Sequence, residues 1–268
     1  MLNELIPIRK SLSVKDHPEG ITIVPLSDAH YGSEEFNEVL WHQAIQRIQD
    51  DPHCYAVLVG DLIDNGLKNS ATNVYRQTVM PRDQKRWLAD ELKPIKDKIL
   101  ASVGGNHERR TMREADSDPM YDVLMFLDIG EVYRENIAFL SVSFTYECDG
   151  TDKPRTTYLF GITHGAGGGM YVGSSANRAE RYGQAIEGLD CLIAGHTHKP
   201  LTFPVSKLVF TTHAKLVEQR QFVVVVASSF LDYGGYPVQK LLTPTAKTLT
   251  EVKIRAYNNG ENVVRVVQ

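Results

Sequence analysis

Aspartate and histidine residues recur in five short motifs of the 268-residue sequence, in combinations that are typical of metal ligands. Carboxylate and amide oxygens mixed with imidazole nitrogens suit Mn, Fe or Zn and fit Ca less well. Each motif alone is weak, because Asp-x-His pairs occur by chance and a Gly-Asp pair usually marks a turn. The motifs are Asp28-Ala29-His30, Gly60-Asp61-Leu62-Ile63-Asp64, Gly104-Gly105-Asn106-His107-Glu108, Thr163-His164-Gly165 and Gly195-His196-Thr197-His198.

The segments in front of these motifs are predicted to be buried β-strands. Short apolar runs occur at residues 21–26, 56–59, 99–103, 158–162 and 191–194, and a motif follows each of them. In open α/β sheets, ligands bind beyond the carboxyl ends of the strands. The five strand ends should therefore bring their polar residues to one edge, and this joint placement predicts a metal site.

Helices are predicted between the first three strands. A second helix, which Pro94 ends or kinks, carries Trp87, Leu88 and Leu92. Alternating strands and helices predict parallel βαβ units with helices covering the sheet. The first helix has Asn37 as its N-cap and one apolar face formed by Leu40, Trp41, Ala44, Ile45 and Ile48.

The second half of the chain is richer in predicted strands. Further strands are expected at residues 137–144, 222–227 and 249–254, and a helix at about 176–186. Two sheets packed face to face with helices outside would accommodate this number of elements. Since no boundary divides the chain, we predict a single domain over residues 1–268.

Composition narrows the classes of function. The hydrophobic content of 42% allows a sizeable core, and the net charge of -4 argues against nucleic-acid binding through a broad basic surface. The three cysteines include no CxxC pair, which argues against a disulfide framework or a cysteine zinc site. No segment, including residues 1–15, approaches the ~20 apolar residues of a membrane-spanning helix. We therefore expect a cytoplasmic protein with no membrane segment.

Taken together, the five motifs resemble those of the calcineurin-like metallophosphoesterase superfamily. The resemblance extends from the first strand to about Pro200 and includes the closing Gly-His-x-His motif, Gly195 to His198. It implies an α/β fold, a four-layer sandwich of two mixed β-sheets flanked by helices. It also implies a metal-dependent phosphoester hydrolase.

The resemblance implies a role for each motif residue. Two divalent transition-metal ions are expected, with Mn favoured over Fe or Zn. His107 would stand beside the metals without binding them, and Asp64 would orient it. One metal would be held by Asp28, His30 and His198, the other by Asn106, His164 and His196, and Asp61 would bridge both.

This arrangement suits phosphoryl transfer. Asp61 has two carboxylate oxygens and can bridge two cations. Metals ~3.5–4 Å apart can share a hydroxide as the nucleophile and clamp the phosphoryl oxygens of an in-line displacement. No serine or cysteine nucleophile is then required. An imidazole such as His107 can donate a proton to the leaving oxygen, and Asp64 would hold its tautomer.

Three functions remain open: a phosphodiesterase, including nucleases and nucleotide hydrolases; a phosphomonoesterase, including protein phosphatases; and a non-catalytic scaffold of the same fold. Scaffold members are expected to lose ligands, and no ligand position is substituted here. Protein phosphatases of the superfamily typically carry Arg where this chain has Asn65, and they lack the closing Gly-His-x-His. Both differences favour the phosphodiesterase. The substrate, possibly a nucleotide or nucleic acid, would be selected by the loops at 65–82 and 109–119.

Other polar and aromatic residues have weaker signals. Arg109, Arg110 and Arg113 are either solvated charges or contacts to the substrate phosphate. Glu108 belongs to its motif without an assignable role. The glycine-rich run 165–169 lacks the lysine of a phosphate-binding loop and is interpreted as a mobile loop over the site. Trp41 and Trp87 are predicted core residues, and ordinary roles are expected for His17, His42, His53 and His213.

Overall fold

Two six-stranded mixed β-sheets form the centre of the protein. The computed structural model describes residues 3–68, 70, 74–168, 171–210, 216–239, 241, 243–257 and 262–268. The strands are β1 (Ile8–Ser13), β2 (Ile21–Leu26), β3 (Cys54–Leu58), β4 (Ile99–Val103), β5 (Tyr133–Arg134), β6 (Ile137–Cys148), β7 (Thr151–Thr163), β8 (Cys191–Ala194), β9 (Leu201–Val209), β10 (Glu218–Val226), β11 (Glu251–Ile254) and β12 (Val264–Val267). The α-helices are α1 (Glu38–Asp50), α2 (Pro81–Leu92), α3 (Glu108–Ala115), α4 (Pro119–Phe126), α5 (Val172–Gln184) and α6 (Gly235–Gln239).

Both sheets contain a run of parallel strands. The first sheet has the order β1-β6-β7-β8-β10-β9, and the second has the order β12-β11-β2-β3-β4-β5. Strands β2, β3 and β4 are parallel neighbours, as are β7, β8 and β10. Within each run the carboxyl ends of the strands therefore lie at the same edge of the sheet.

Strand β2 shows how the layers stack. Its alternate residues face opposite sides: Ile21 and Ile23 join the core between the two sheets, whereas Val24 and Leu26 pack under the helices. A strand buried on both faces has little polar sequence, which explains the continuous apolar run.

Helices cover the outer face of each sheet. Trp41 of α1, Leu88 of α2 and Leu124 of α4 are fully buried over the second sheet. Ala179 of α5 packs with Phe222 over the first sheet. The predicted four-layer α/β sandwich is therefore confirmed.

Several sequence predictions match the elements. The strands predicted at 21–26, 99–103 and 191–194 have the observed bounds, and the Asn37 side chain caps α1 by accepting a hydrogen bond from the Leu40 amide at 2.9 Å. Helix α2 ends at Leu92, before Pro94, as predicted. Trp41 is fully buried and Trp87 is partly buried against the same core, as predicted. Within the described residues, no helix is long and apolar enough to cross a membrane.

Candidate metal centre

The polar motifs of both sheets meet at one place. The amide of His196, after β8 in the first sheet, donates to the Asp28 carboxylate, after β2 in the second, at 2.9 Å. His164, after β7, places its Nδ1 2.8 Å from the carbonyl oxygen of Val59, after β3. The structure thus brings together all nine residues that the sequence singled out as metal-binding or catalytic, namely Asp28, His30, Asp61, Asp64, Asn106, His107, His164, His196 and His198.

One group of ligand-type atoms surrounds Asp28. Its Oδ1 lies 3.2 Å from His198 Nε2 and 3.8 Å from His30 Nε2. The two histidine Nε2 atoms are themselves 3.3 Å apart. Ser27 and the His196 amide both donate to the other oxygen, Oδ2, and thereby fix the orientation of the carboxylate.

A second group surrounds His164. Its Nε2 lies 3.0 Å from the side-chain oxygen of Asn106 and 3.2 Å from Nδ1 of His196. The same nitrogen is 3.2 Å from Asp61 Oδ2, which is also 3.8 Å from His30 Nε2 in the first group. Asp61 therefore stands between the two groups.

The burial of these groups suits them to bind cations. Asp28 and Asp61 are buried, and among the residues that the structure describes Asp28 Oδ1 receives no hydrogen bond of good geometry, although His198 Nε2 lies 3.2 Å away. Burial of a carboxylate is costly unless a cation compensates its charge. His196 and His198 are partly exposed, so the groups remain open to solvent on one side. The residues present therefore fit a metal site.

Burial and neighbouring charges shift the pKa values of the aspartates and histidines in the two groups. Burial by itself would raise the pKa of Asp61, but His107 and His164 hold it well below the ordinary value. Burial lowers the pKa of His164, but Asp61, Asp28 and the Val59 carbonyl oxygen together raise it to about 9. Burial lowers the pKa of His30 to about 3, which leaves its nitrogens neutral. A metal cation bound here would neutralise the carboxylates, in place of the proton that they favour on His164.

The backbone at the motifs is unusual. Six of the ten described non-glycine residues with positive φ lie here, and such strain clusters at functional sites. Aspartate, asparagine and histidine adopt this conformation more readily than other residues. The six are Asp28 (φ 51°), His30 (48°), Asp61 (52°), Asn65 (43°), His196 (72°) and His198 (56°).

A comparison with protein-family models shows to which family the chain belongs. The family model described as calcineurin-like phosphoesterase matches residues 21–200, from the first residue of β2 to the segment after His198. This is more than half of the chain, and it includes every motif named above. The chain belongs to the calcineurin-like phosphoesterase family. The resemblance noted in the sequence is thereby confirmed.

Two solved structures of phosphoesterases align with this calcineurin-like phosphoesterase over most of their length. One is a predicted phosphoesterase from Streptococcus pneumoniae, 10% identical, with 92% of this chain and 98% of that chain covered and a TM-score of 0.34. The other is the calcineurin-like phosphoesterase YfkN from Bacillus subtilis, 14% identical, with 92% and 90% covered and a TM-score of 0.35. No curated protein matches in a sequence comparison. The family assignment rests on the family model.

His107 and Asp64 form a close pair at the edge of the candidate metal centre. His107 Nδ1 lies 2.7 Å from the Asp64 backbone oxygen and 3.3 Å from its carboxylate. The His107 amide donates to Asp61 Oδ1 at 2.8 Å, which ties the loop before α3 to the centre. The pair lies next to His30, whose Nδ1 is 3.3 Å from His107 Nδ1.

The two neighbouring arginines of α3 have different surroundings. Arg109 donates to the carbonyl oxygens of Gly104 and Glu135, at 3.3 and 3.4 Å. Arg110 donates to the Asp64 carbonyl oxygen at 2.9 Å, and its Nη2 lies 2.8 Å from His107 Nε2. Of these two, Arg110 is the one that contacts the His107–Asp64 pair.

Glu108 has a role that the sequence did not reveal. Its fully buried carboxylate accepts hydrogen bonds from the backbone amides of Asp61, Leu62 and Gly105, at 2.9 to 3.0 Å. It thereby joins the loop after β3 to the loop after β4. A Cβ atom on Gly105 would lie 2.1 Å from Asp61 Oδ1, so this close approach requires glycine.

The residues set aside in the sequence lie elsewhere. His17 is buried and its Nδ1 faces that of His53 at 2.9 Å, beside Tyr55. His42 is paired with Glu91 on the helical side. In the glycine-rich run, Arg178 of α5 donates to the carbonyl oxygen of Ala166 at 2.8 Å. His213 and Gly169 lie outside the described residues.

Proposed function

We propose that this calcineurin-like phosphoesterase is a phosphodiesterase that uses two divalent metal ions, preferably Mn. The observation that carries the proposal is the convergence of two compact groups of ligand atoms on Asp61. In each group the candidate atoms of the histidines and aspartates lie within 4.8 Å of one another. A non-catalytic scaffold would have no need to keep both groups.

The metal ligands divide between the groups. Asp28, His30 and His198 would hold one ion, because Asp28 Oδ1 and the two histidine Nε2 atoms face each other. Asn106, His164 and His196 would hold the other. Asp61 would contribute to both. When bound, the two ions would supply Lewis acidity at the phosphoryl group and lower the pKa of a nucleophilic water.

His107 is proposed as the proton donor to the leaving oxygen. A third compact group consists of His30, Asp64 and His107. Its Asp64 and His107 contact each other through a hydrogen bond and an ion-pair distance, so we do not assign them as metal ligands. The Asp64 carbonyl oxygen can only accept, so His107 Nδ1 carries a hydrogen, and Nε2 is the nitrogen that would carry the donated proton. A positioned imidazole of this kind typically contributes ~10²–10⁴-fold to the rate.

The preference for diesters is supported by Asn65. This residue is buried, and its amide nitrogen donates to the His107 carbonyl oxygen and to the Thr111 hydroxyl, both at 2.7 Å. It therefore faces α3 and supplies no cation to a substrate. A monoester dianion gains more from an added cation than a diester monoanion does, so this site should favour diesters. Phosphomonoesterase activity is the alternative, because Arg110 lies close to the centre.

We expect bis(p-nitrophenyl) phosphate to be hydrolysed with a higher kcat/KM than p-nitrophenyl phosphate. Both substrates are measured at saturating Mn and the same pH, with chelator-treated protein as the control for each. A clear preference for the monoester would contradict the phosphodiesterase and favour the phosphomonoesterase. If protein that is shown to contain Mn hydrolyses neither these two substrates nor any other phosphoester, the proposed function as a whole is wrong.

A further inference from the structure

We propose that Glu108 is a positioning residue for the second metal ion, the one assigned to Asn106, His164 and His196. Its carboxylate binds the backbone of Asp61 and the backbone next to Asn106, and thereby fixes the spacing of these two ligands. The inference rests on the two-metal centre of the proposed function. It gives metal binding a dependence on a side chain that is not itself a ligand.

The Glu108 side chain lies between the loops that follow β3 and β4, and it is fully buried. Its Oε2 accepts hydrogen bonds from the amides of Asp61 at 3.0 Å and Gly105 at 2.9 Å. Its Oε1 accepts from the amides of Leu62 at 2.9 Å and Ile63 at 3.4 Å. The single atom Oε2 therefore joins the backbones of the two loops.

The backbone of Asp61 depends on this support. Its φ of 52° lies in the left-handed region, and such a conformation persists only where the surrounding structure holds it. Glu108 binds the amide of this same residue. A rotation of the Asp61 backbone would move its Oδ2, which lies 3.2 Å from His164 Nε2 and 3.8 Å from His30 Nε2. Glu108 therefore determines where Asp61 stands between the two groups.

The two loops approach each other closely at Gly105. A Cβ atom at this position would lie 2.1 Å from Asp61 Oδ1 and 2.3 Å from the Asp61 amide nitrogen. The next residue, Asn106, places its side-chain oxygen 3.0 Å from His164 Nε2. Widening the gap between the loops would therefore draw Asn106 away from the other ligands of the second ion.

The two metal ions depend on Glu108 to different degrees. The ligands of the first ion are Asp28 and His30 after β2 and His198 after β8, outside the loops that Glu108 joins. The first ion is affected through Asp61 alone, whereas the second is affected through both Asp61 and Asn106. Loss of the link should therefore weaken the second ion far more than the first. A general loss of stability would weaken both.

Mn binding by Glu108→Gln tests the proposal without turnover. A glutamine amide has one accepting oxygen, so its NH₂ group must face backbone N–H groups whichever way it points. Isothermal titration should show the second Mn bound about 10- to 100-fold more weakly, the usual effect of losing a partner that orients a metal ligand. The exchange-coupled EPR signal of a Mn pair should give way to that of a single Mn, and an anomalous difference map should place this ion beside Asp28.

Asp190→Asn is the matched control, at the opposite end of β8 from the metal ligands. Its partly buried carboxylate also accepts a hydrogen bond from a backbone amide, that of Leu159 at 2.7 Å. This variant should keep both ions and the coupled signal. Gly105→Ala provides a second test should Glu108→Gln fail to fold. Its added methyl group pushes the two loops apart while Glu108 stays in place, so it should also lose the second Mn and the coupling.

A folded Glu108→Gln or Gly105→Ala protein that keeps both ions and the coupled signal would overturn the proposal. Equal weakening of the two ions would also overturn it. A parent protein that binds Mn without forming a coupled pair would contradict the two-metal centre itself, and this inference with it. The parent's own spectrum thus distinguishes the two failures.

Discussion

Replacing Asp61 by asparagine is expected to remove metal binding and phosphoester hydrolysis together. Asp61 Oδ2 lies 3.2 Å from His164 Nε2 and 3.8 Å from His30 Nε2, so both groups of ligand atoms lose the same anionic oxygen. An amide has nearly the shape of the carboxylate but not its charge. Activity should fall to the level of the protein treated with a chelator.

The measurement is the Mn content of the purified variant, followed by kcat/KM at added Mn. Asp90→Asn, an exposed position on α2, is the matched control and should retain the parent's metal and rate. Circular dichroism establishes that the variant is folded. A folded Asp61→Asn protein that keeps its full metal content would contradict the bridging role.

Replacing His107 by glutamine should have a different result. The metal content should stay that of the parent, because His107 is proposed to act as a proton donor and not as a ligand. The rate should fall ~10²–10⁴-fold, the usual contribution of a positioned acid. His42→Gln, at an exposed histidine of α1, controls for the loss of an imidazole elsewhere.

The leaving group distinguishes proton donation from other roles of His107. An alkoxide leaving group needs a proton far more than p-nitrophenolate does. The fall in rate caused by His107→Gln should therefore be larger for the release of methanol from methyl p-nitrophenyl phosphate than for the release of p-nitrophenolate. Equal losses for both leaving groups would show that His107 does not act as the acid. Loss of metal in the variant would show that it is a ligand.

The sequence predicted which motif residues lie together better than it predicted the elements around them. Each of the five motifs follows a short apolar strand, and parallel strands bring their carboxyl ends to one edge, so two simple rules were enough to place the residues together. The same apolar runs predicted β2, β4 and β8 at their observed bounds. These strands are buried on both faces, which is the case in which hydrophobicity alone is a sufficient signal.

The elements that were missed have mixed or polar sequences. Strand β1, at the edge of its sheet, has only Ile8 and Leu12 as apolar residues, and β9, another edge strand, contains Pro204. Proline is tolerated at an edge because its missing N–H need not join a ladder. Strand β7 was predicted from residue 158 but begins at Thr151, because its exposed polar half pairs with β6.

Two features of the candidate site could not be predicted from the local sequence. They are the directions of the Arg109 and Arg110 side chains and the backbone partners of Glu108. Arg109 and Arg110 are adjacent, but on a helix they point about 100° apart, and only the fold shows which of them reaches His107. The partners of Glu108 are backbone amides more than 40 positions away, in the loop after β3. Backbone donors leave no side-chain signature.

The single-domain organisation stays a prediction.

The most direct test of the two-metal centre is an anomalous difference map from crystals of the Mn-loaded protein, recorded above the Mn absorption edge. We expect two separate peaks, one beside Asp28, His30 and His198, the other beside Asn106, His164 and His196, with Asp61 contacting both. A single peak at full Mn occupancy, or peaks away from Asp61, would contradict the account.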